Sequence, residues 1–363
     1  MHMILCKSPF MVTFANMSTM TDLLPSTITG GLFGAALTVS GVYLPPTIIS
    51  QMQLQDFHML SVFLTASSTS AVAIFLYERL IQRPLSRRPP SSIGWLGAYD
   101  GNVIGGAMVG AGMTLTGACP GTVLVQVGTG VSSGRYVLLG GLLGGLLYAS
   151  VARVLGRQPG ASCAATTGKT DNSLPWKLRI SPRTAMMGFQ MMCFSLIVAV
   201  KYLAPRHAPA AVDPIVGGIL IGLAQLVSLF MTKAPVGVST SYEDIGRWVW
   251  SSINGGASVE PVLSRKQKPA LPLTKSVCFA GGILVSSYLI SRMVPELARV
   301  DALSIAPLRG VLGGLVMVFG ARVAGGCTSG HGISGMSMLG TSSIITVTSM
   351  FAAGIGLAFG LAA

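Results

Sequence analysis

Charge is what this sequence has least of. Only 10% of its 363 residues are Asp, Glu, Lys or Arg, against about 25% in an ordinary soluble domain, so the chain has no means of covering its own surface in water. Acidic residues are scarcest, 11 against 24 basic ones, and all of them are expected at segment ends or in loops. Cysteine pairs spaced CxxC and Cys/His sets with zinc spacing are lacking, so no metal centre is expected. No GxxxxGK[ST] string occurs, which argues against ATP hydrolysis. No charged n-region with a cleavage site stands out. The first 27 residues hold one Lys and no Arg, unlike a transit peptide. No cofactor is implied.

What is present is apolar. Hydrophobic residues make up 51% of the chain and mean hydropathy is +0.67. Apolar runs of about 18–22 residues recur, the length that crosses a hydrocarbon core of roughly 30 Å. They predict an all-α, multi-pass membrane bundle of about nine spans, at 27–44, 57–78, 101–118, 135–155, 184–204, 214–231, 276–295, 307–326 and 341–362. The net charge of +13 does not indicate a nucleic-acid partner, because the basic residues cluster in loops, where they set topology beside membrane lipid. The loops after the second, fourth and sixth spans hold 16 Lys and Arg, against 6 on the opposite side. That bias predicts a cytoplasmic N-terminus, with the plasma membrane as the expected location.

The sequence repeats itself. Gly105, Gly106, Gly112, Gly117 and Cys119 recur as Gly313, Gly314, Gly320, Gly325 and Cys327 at one offset of 208 residues. The charge bias makes the first half begin outward and the second inward, so two inverted copies are expected. The resulting division is a tail at 1–27, a first repeat at 28–155, a cytoplasmic linker at 156–183, a connecting helix at 184–213, and a second repeat at 214–362 with a cytoplasmic loop at 232–275. GxxxG pairs at Gly30–Gly34, Gly106–Gly110, Gly140–Gly144, Gly218–Gly222, Gly310–Gly314 and Gly356–Gly360 are read as close helix packing.

Four spans end in loops of small residues: SGVYLPPT at 40–47, GACPGT at 117–122, APVGVSTSY at 234–242 and GGCTSGHGISG at 325–335. Irregular backbone survives at membrane depth only when buried in protein or lining a watery path, so these are expected as four re-entrant loops meeting in an hourglass. They suit a small anion: Gly117, Gly121, Gly325, Gly326 and Gly330 let backbone N–H groups converge, and each restarting helix offers a positive N-terminus. Pro120 fits the first turn of such a helix. Thr122, Ser239, Thr240, Ser241, Thr328 and Ser329 add hydroxyl donors. Cys119 and Cys327, matched by the repeat, are expected as neutral thiols on opposite faces of the constriction. A thiolate would repel an anion, whereas a thiol is a weak donor and a polarizable partner for sulfur. The alternative is that both are packing residues. His331 either donates to the anion or braces its loop. Arg322, the only basic residue placed in a span near a motif, either attracts the anion or pairs with carbonyls. With no carboxylate expected in a span, conduction uncoupled from protons is expected.

These motifs resemble the YeeE/YedE family of sulfur transport proteins: GARVAGGCTSGHGISG at 320–335 most specifically, then GAGMTLTGACPGT at 110–122 and SGVYLPPTIISQMQLQDF at 40–57. The resemblance covers residues 28 to 362. It implies nine spanning helices with four inward loops, uptake of thiosulfate along a line of cysteines, and a small TusA-like sulfur carrier protein as partner. Two relay cysteines carry over to Cys119 and Cys327. A third, near the entrance, has no counterpart, and Ser40 and Ser239 stand as substitute hydroxyl donors. The competing readings are a membrane sulfurtransferase holding persulfide on a cysteine, and a transporter of another sulfur or selenium compound. The protein is not expected to be an enzyme.

Overall fold

The structure is a computed structural model that describes residues 9–82, 84–152, 173–203, 212–253, 273–297 and 305–362. Helices account for almost all of it. The first half holds α1 (Pro9–Val39), α2 (Pro45–Met52), α3 (His58–Ile81), α4 (Asp100–Thr116), α5 (Thr122–Thr129) and α6 (Gly134–Val151). A short α7 (Leu174–Leu178) leads to α8 (Pro182–Leu203). The second half holds α9 (Pro214–Thr232), α10 (Ser239–Ile253), α11 (Lys275–Met293), α12 (Pro307–Ala324), a π-helical turn over Thr328–Gly335 and α13 (Thr341–Ala362).

Each of the nine segments read as a span contains a long helix. Seven of these, α3, α6, α8, α9, α11, α12 and α13, have at least 18 residues and enough apolar character to cross a membrane. The protein is an integral, multi-pass membrane bundle. One boundary moves: α1 already starts at Pro9, inside the stretch read as a tail at 1–27, because the polar stretch Asn16–Asp22 interrupts its hydropathy signal. Most of the linker at 156–183, and of the loop beyond residue 253, lies outside the described residues.

The packing of the glycines shows how the halves are related. A Cβ on Gly30 would strike the Phe279 backbone and one on Gly34 the Ile283 backbone. Numbers rise together, so α1 and α11 run parallel. Gly218 against Val62 and Thr65, and Gly222 against Thr69, make α9 and α3 parallel in the same way. Gly140 on Val311 and Gly144 on Leu315 pair α6 with α12, while Gly106 on Thr346 and Gly110 on Met350 pair α4 with α13. The two central helices instead cross antiparallel, Gly105 against Gly320 and Gly112 against Gly313.

Every one of these contacts has its mate under the exchange of halves: α1 on α11 with α9 on α3, and α6 on α12 with α13 on α4. Successive spans alternate in direction. A first helix parallel to the other half's second long helix therefore requires the halves to be inverted about an axis through the α4–α12 crossing. The helices approach so closely because small residues leave room for backbone-to-backbone contact. Gly356 and Gly360 depart from this pattern: nothing lies within 4 Å of a Cβ at either, so that pair is not a packing motif.

All four small-residue loops are followed by a short helix: α2, α5, α10 and the π-helical turn. The helix α10 replaces the first part of the cytoplasmic loop expected at 232–275. Helix α8 packs mainly along α3 and leaves Met187, Phe194 and Tyr202 on the outer surface, as expected of a connector facing lipid.

The packing yields a sharp expectation. Gly110→Leu drives a side chain into the Met350 carbonyl, and overpacking of this kind costs at least about 1–3 kcal/mol. Gly356→Leu meets open space and gains helix propensity worth up to about 1 kcal/mol. Thermal melts in detergent should drop for the first variant and hold or rise for the second.

Candidate functional site

The site forms where the four broken spans meet. α4 and α12 both stop at a glycine in the left-handed region, Gly117 (φ 57°) and Gly325 (φ 86°), where residues with a side chain are strained. The chain turns there and presents Cys119 and Cys327. The Thr122 N–H points at the Cys119 sulfur (3.4 Å), and the Cys119 N–H donates to Thr122 Oγ1 (2.7 Å). This is the reciprocal exchange of a capping box, with sulfur in place of a hydroxyl oxygen. In the second repeat the Gly330 N–H, repeat-mate of the Thr122 N–H, faces the Cys327 sulfur, as do the backbone amides of Val238 and Ser239 from the α10 loop. Ser329 Oγ lies 3.2 Å from the same sulfur. Both cysteines are buried, 9% and 2% exposed. Convergent backbone N–H groups at both sulfurs create a positive potential without a formal charge.

Each loop is cross-braced to its partner. Gln126 Nε2 donates to the Tyr43 carbonyl (2.8 Å) and the Gly117 carbonyl (2.9 Å). Ser334, 208 residues further on, donates to the Val236 carbonyl (3.0 Å). Tyr242 Oη ties the halves together by donating to the Pro120 carbonyl (2.8 Å).

A cavity of about 50 Å³ opens against Cys119, Gly121, Thr122, Thr328 and Ser329, large enough for a few waters. Its remaining walls are aliphatic and aromatic, including Phe33, Ile48, Met59 and Phe63. The Thr328 hydroxyl sits 3.6 Å from the sulfurs of both Met113 and Met350.

The other expected site residues fall nearby but off the cavity wall. Cys327 stands one residue behind Thr328. Gly117 and Gly325 make the turns, and Gly326 and Gly330 leave room for the Arg88 guanidinium. Pro120 precedes the Gly121 N-cap of α5, so it lies before the helix rather than in its first turn. Ser40 turns its hydroxyl back to the Leu37 carbonyl (2.9 Å). Ser239 receives Arg322 Nη1 (3.4 Å). His331 Nε2 donates to the Ala324 carbonyl (3.2 Å), so Nδ1 accepts from Ser343 (2.9 Å), the tautomer following from those partners. The imidazole braces its loop. Cys193 is buried in α8 and Cys278 half-buried in α11, away from the motifs. Cys6 and Cys163 lie outside the described residues.

Two groups escaped the sequence reading. Arg88, from the loop after α3, donates to the carbonyls of Gly330 (3.1 Å) and Gly325 (2.6 Å). A basic residue from outside the spans thus reaches a motif, beside Arg322 within one. Glu243 in α10 is 3% exposed and forms ion pairs with Arg322 and Arg247. This corrects the expectation that no carboxylate is buried in the bundle, and removes the ground for expecting proton-independent conduction. The segment Thr240–Ser–Tyr–Glu243 has the spacing of a helix start, a signal the loop assignment overrode.

Inverted repeats with broken helices that meet at a buried site are the architecture of many membrane transport proteins. The chain belongs to the sulphur transport family, whose model matches residues 39–357. It is 25% identical over 349 residues to the thiosulfate transporter TsuA of Escherichia coli (strain K12), covering 87% of this chain and 88% of that protein. Two proteins named "Probable transporter", from Xylella fastidiosa strains 9a5c and Temecula1 / ATCC 700964, are each 27% identical over 145 residues, covering 40% of this chain and 90% of theirs.

Arg88 holds the Cys327 loop through two carbonyls. Arg88→Ala should lower the melting temperature, since each carbonyl left unsatisfied costs about 1–3 kcal/mol. It should also speed maleimide labelling of Cys327 relative to Cys119. Equal labelling rates in variant and parent would show that the loop is held without Arg88.

Proposed function

We propose that this protein carries thiosulfate across the membrane, handed between the neutral thiols of Cys119 and Cys327. The observation that carries the reading is the repeat-matched pair itself: two buried cysteines at equivalent turns, each sulfur faced by backbone N–H groups, with Cys119 on the wall of a cavity. Those N–H groups offset the anion's lost hydration, as preorganised donors do at other anion sites. The S–H groups remain to contact the terminal sulfur of thiosulfate. Ser329 and Thr328 supply hydroxyls toward its oxygens. The thiosulfate transporter of E. coli, alike over most of both chains, supports the same substrate.

Ser40 is better read as a support than as a substitute for a third relay thiol, because its hydroxyl donates to the Leu37 carbonyl, whereas Ser239 accepts from Arg322 and keeps its O–H to donate. A persulfide enzyme would need a base beside a thiol. His331, the nearest candidate by sequence, has both ring nitrogens occupied, which favours a carrier. The charge bias of the loops supports a cytoplasmic N-terminus in the plasma membrane. Thiosulfate delivered to the cytoplasm would pass to a small TusA-like sulfur carrier protein.

Purified protein in proteoliposomes should take up labelled thiosulfate and release it unconverted. Cys119→Ser and Cys327→Ser should each cut the flux at least about tenfold, equivalent to about 1.4 kcal/mol on the barrier, while melting with the parent. Undiminished flux in both variants would end the relay, and conversion of the label would favour the enzyme.

A further inference from the structure

A charged cluster lies immediately behind the second cysteine. Arg322, 2% exposed, is ion-paired with Glu243, which also receives Arg247 from one turn further along α10. Asp244 accepts from Thr274 (2.7 Å) and lies near enough to Arg247, Glu243 and Arg322 to share their field, but the ion pairs with Arg322 and Arg247 are made by Glu243. Arg322 also reaches Ser239 Oγ (3.4 Å) and Thr240 Oγ1 (3.5 Å), and stacks on Tyr148. The Ser239 amide in turn faces the Cys327 sulfur. A continuous line of groups therefore runs from thiol to Ser239 to Arg322 to Glu243.

Stability is a poor explanation for this arrangement. Burying an ion pair removes two charges from water, and an apolar pair of similar volume serves as well or better. Ionisable groups at membrane depth mark ion paths more often than scaffolding. The Arg322 contacts to the two hydroxyls are long, whereas a guanidinium holds an oxyanion best through short paired N–H bonds.

We propose that Arg322, with the hydroxyls of Ser239 and Thr240, is a second anion station next to Cys327, and that Glu243 is its resident counter-ion, displaced by each passing anion. The station rests on the transport reading for its role in flux, but its existence is a matter of binding. An unopposed buried guanidinium would hold a divalent oxyanion too tightly to release it. With Glu243 in place, one carboxylate is exchanged for one anion, and the returning carboxylate drives the anion off. Arg247 keeps the displaced Glu243 close by.

Calorimetric titration of the detergent-solubilised full chain with sodium thiosulfate tests this directly. Glu243→Gln should bind about tenfold tighter than the parent, and Arg322→Gln in that background should abolish the gain. In proteoliposomes the same Glu243→Gln protein should show KM and kcat falling together, the mark of a tightened intermediate. Binding equal to the parent in a folded Glu243→Gln protein overturns the station. If that variant does not fold, the charge-neutral double variant Glu243→Gln/Arg322→Gln decides: binding at least about tenfold weaker than the parent supports the station, and unchanged binding overturns it. A parent protein that shows no thiosulfate flux, yet gains affinity on Glu243→Gln, would sink the transport reading and leave the station standing.

Discussion

A helix that breaks inside a hydrocarbon layer exposes peptide groups that have no water to turn to, and each one left unsatisfied costs several kcal/mol. Four spans of this protein break in that way, and much of the surrounding structure answers the problem. Gln126 reaches two carbonyls of the first loop pair. Arg88 reaches two carbonyls around the Cys327 loop, and His331 closes the last carbonyl turn of α12. The glycines that bring α4 against α12 and α13 serve the same end, because only backbone-close packing keeps lipid away from the broken segments. The amides left over, those of Thr122 and Gly330, are the ones that face the two sulfurs. The anion path proposed above would use the part of the backbone that the braces do not consume.

The two sides of this constriction differ although the fold is symmetric. On the Cys119 side the cavity is walled by Phe33, Ile48, Met59 and Phe63, with no charge to hold an anion. On the Cys327 side stand Arg88, Arg322, Arg247 and Glu243. Equivalent backbone positions have taken different side chains: Arg322 corresponds by the repeat offset to Thr114, whose hydroxyl bonds the Gly354 carbonyl (2.8 Å). Inverted repeats supply a two-fold scaffold, and substitution on one copy makes its two sides chemically different.

The fold was legible because its determinants are periodic and local. Apolar length marks the spans, and the spacing from Gly105 to Cys119, repeated at Gly313 to Cys327, marks the duplication. Glycine in the four loops, and cysteine in two of them, were legible for the same reason, since a loop inside a membrane must be small and polar without charge. What escaped was long-range partnership. Nothing local to Arg88 says that it crosses to Gly325 and Gly330, more than 230 residues away. Glu243 was hidden differently: its neighbours Asp244 and Arg247 lower local hydropathy enough to read as a solvated loop, although Thr240 and Glu243 carry a helix-start spacing. Ser40 shows the converse limit. Its type and place in the motif suit a donor, but where a hydroxyl points is decided by the nearest free acceptor, and for Ser40 that is its own helix.

Glu243 also bears on how transport proceeds. Net flux of an uncoupled anion follows the gradient and potential acting on it, whatever lines the path. A carboxylate held between two guanidiniums would instead, in the proposed exchange, set how tightly the anion is held on its way. The free energy of the anion at that point is a difference between two ion pairs rather than the cost of one buried charge, and such differences are small even where each term is large. In the proposed station a divalent anion would therefore meet neither a deep trap nor a high barrier, provided its counter-charge stays within reach. The four-residue spacing of Glu243 and Arg247 on one face of α10 keeps it there.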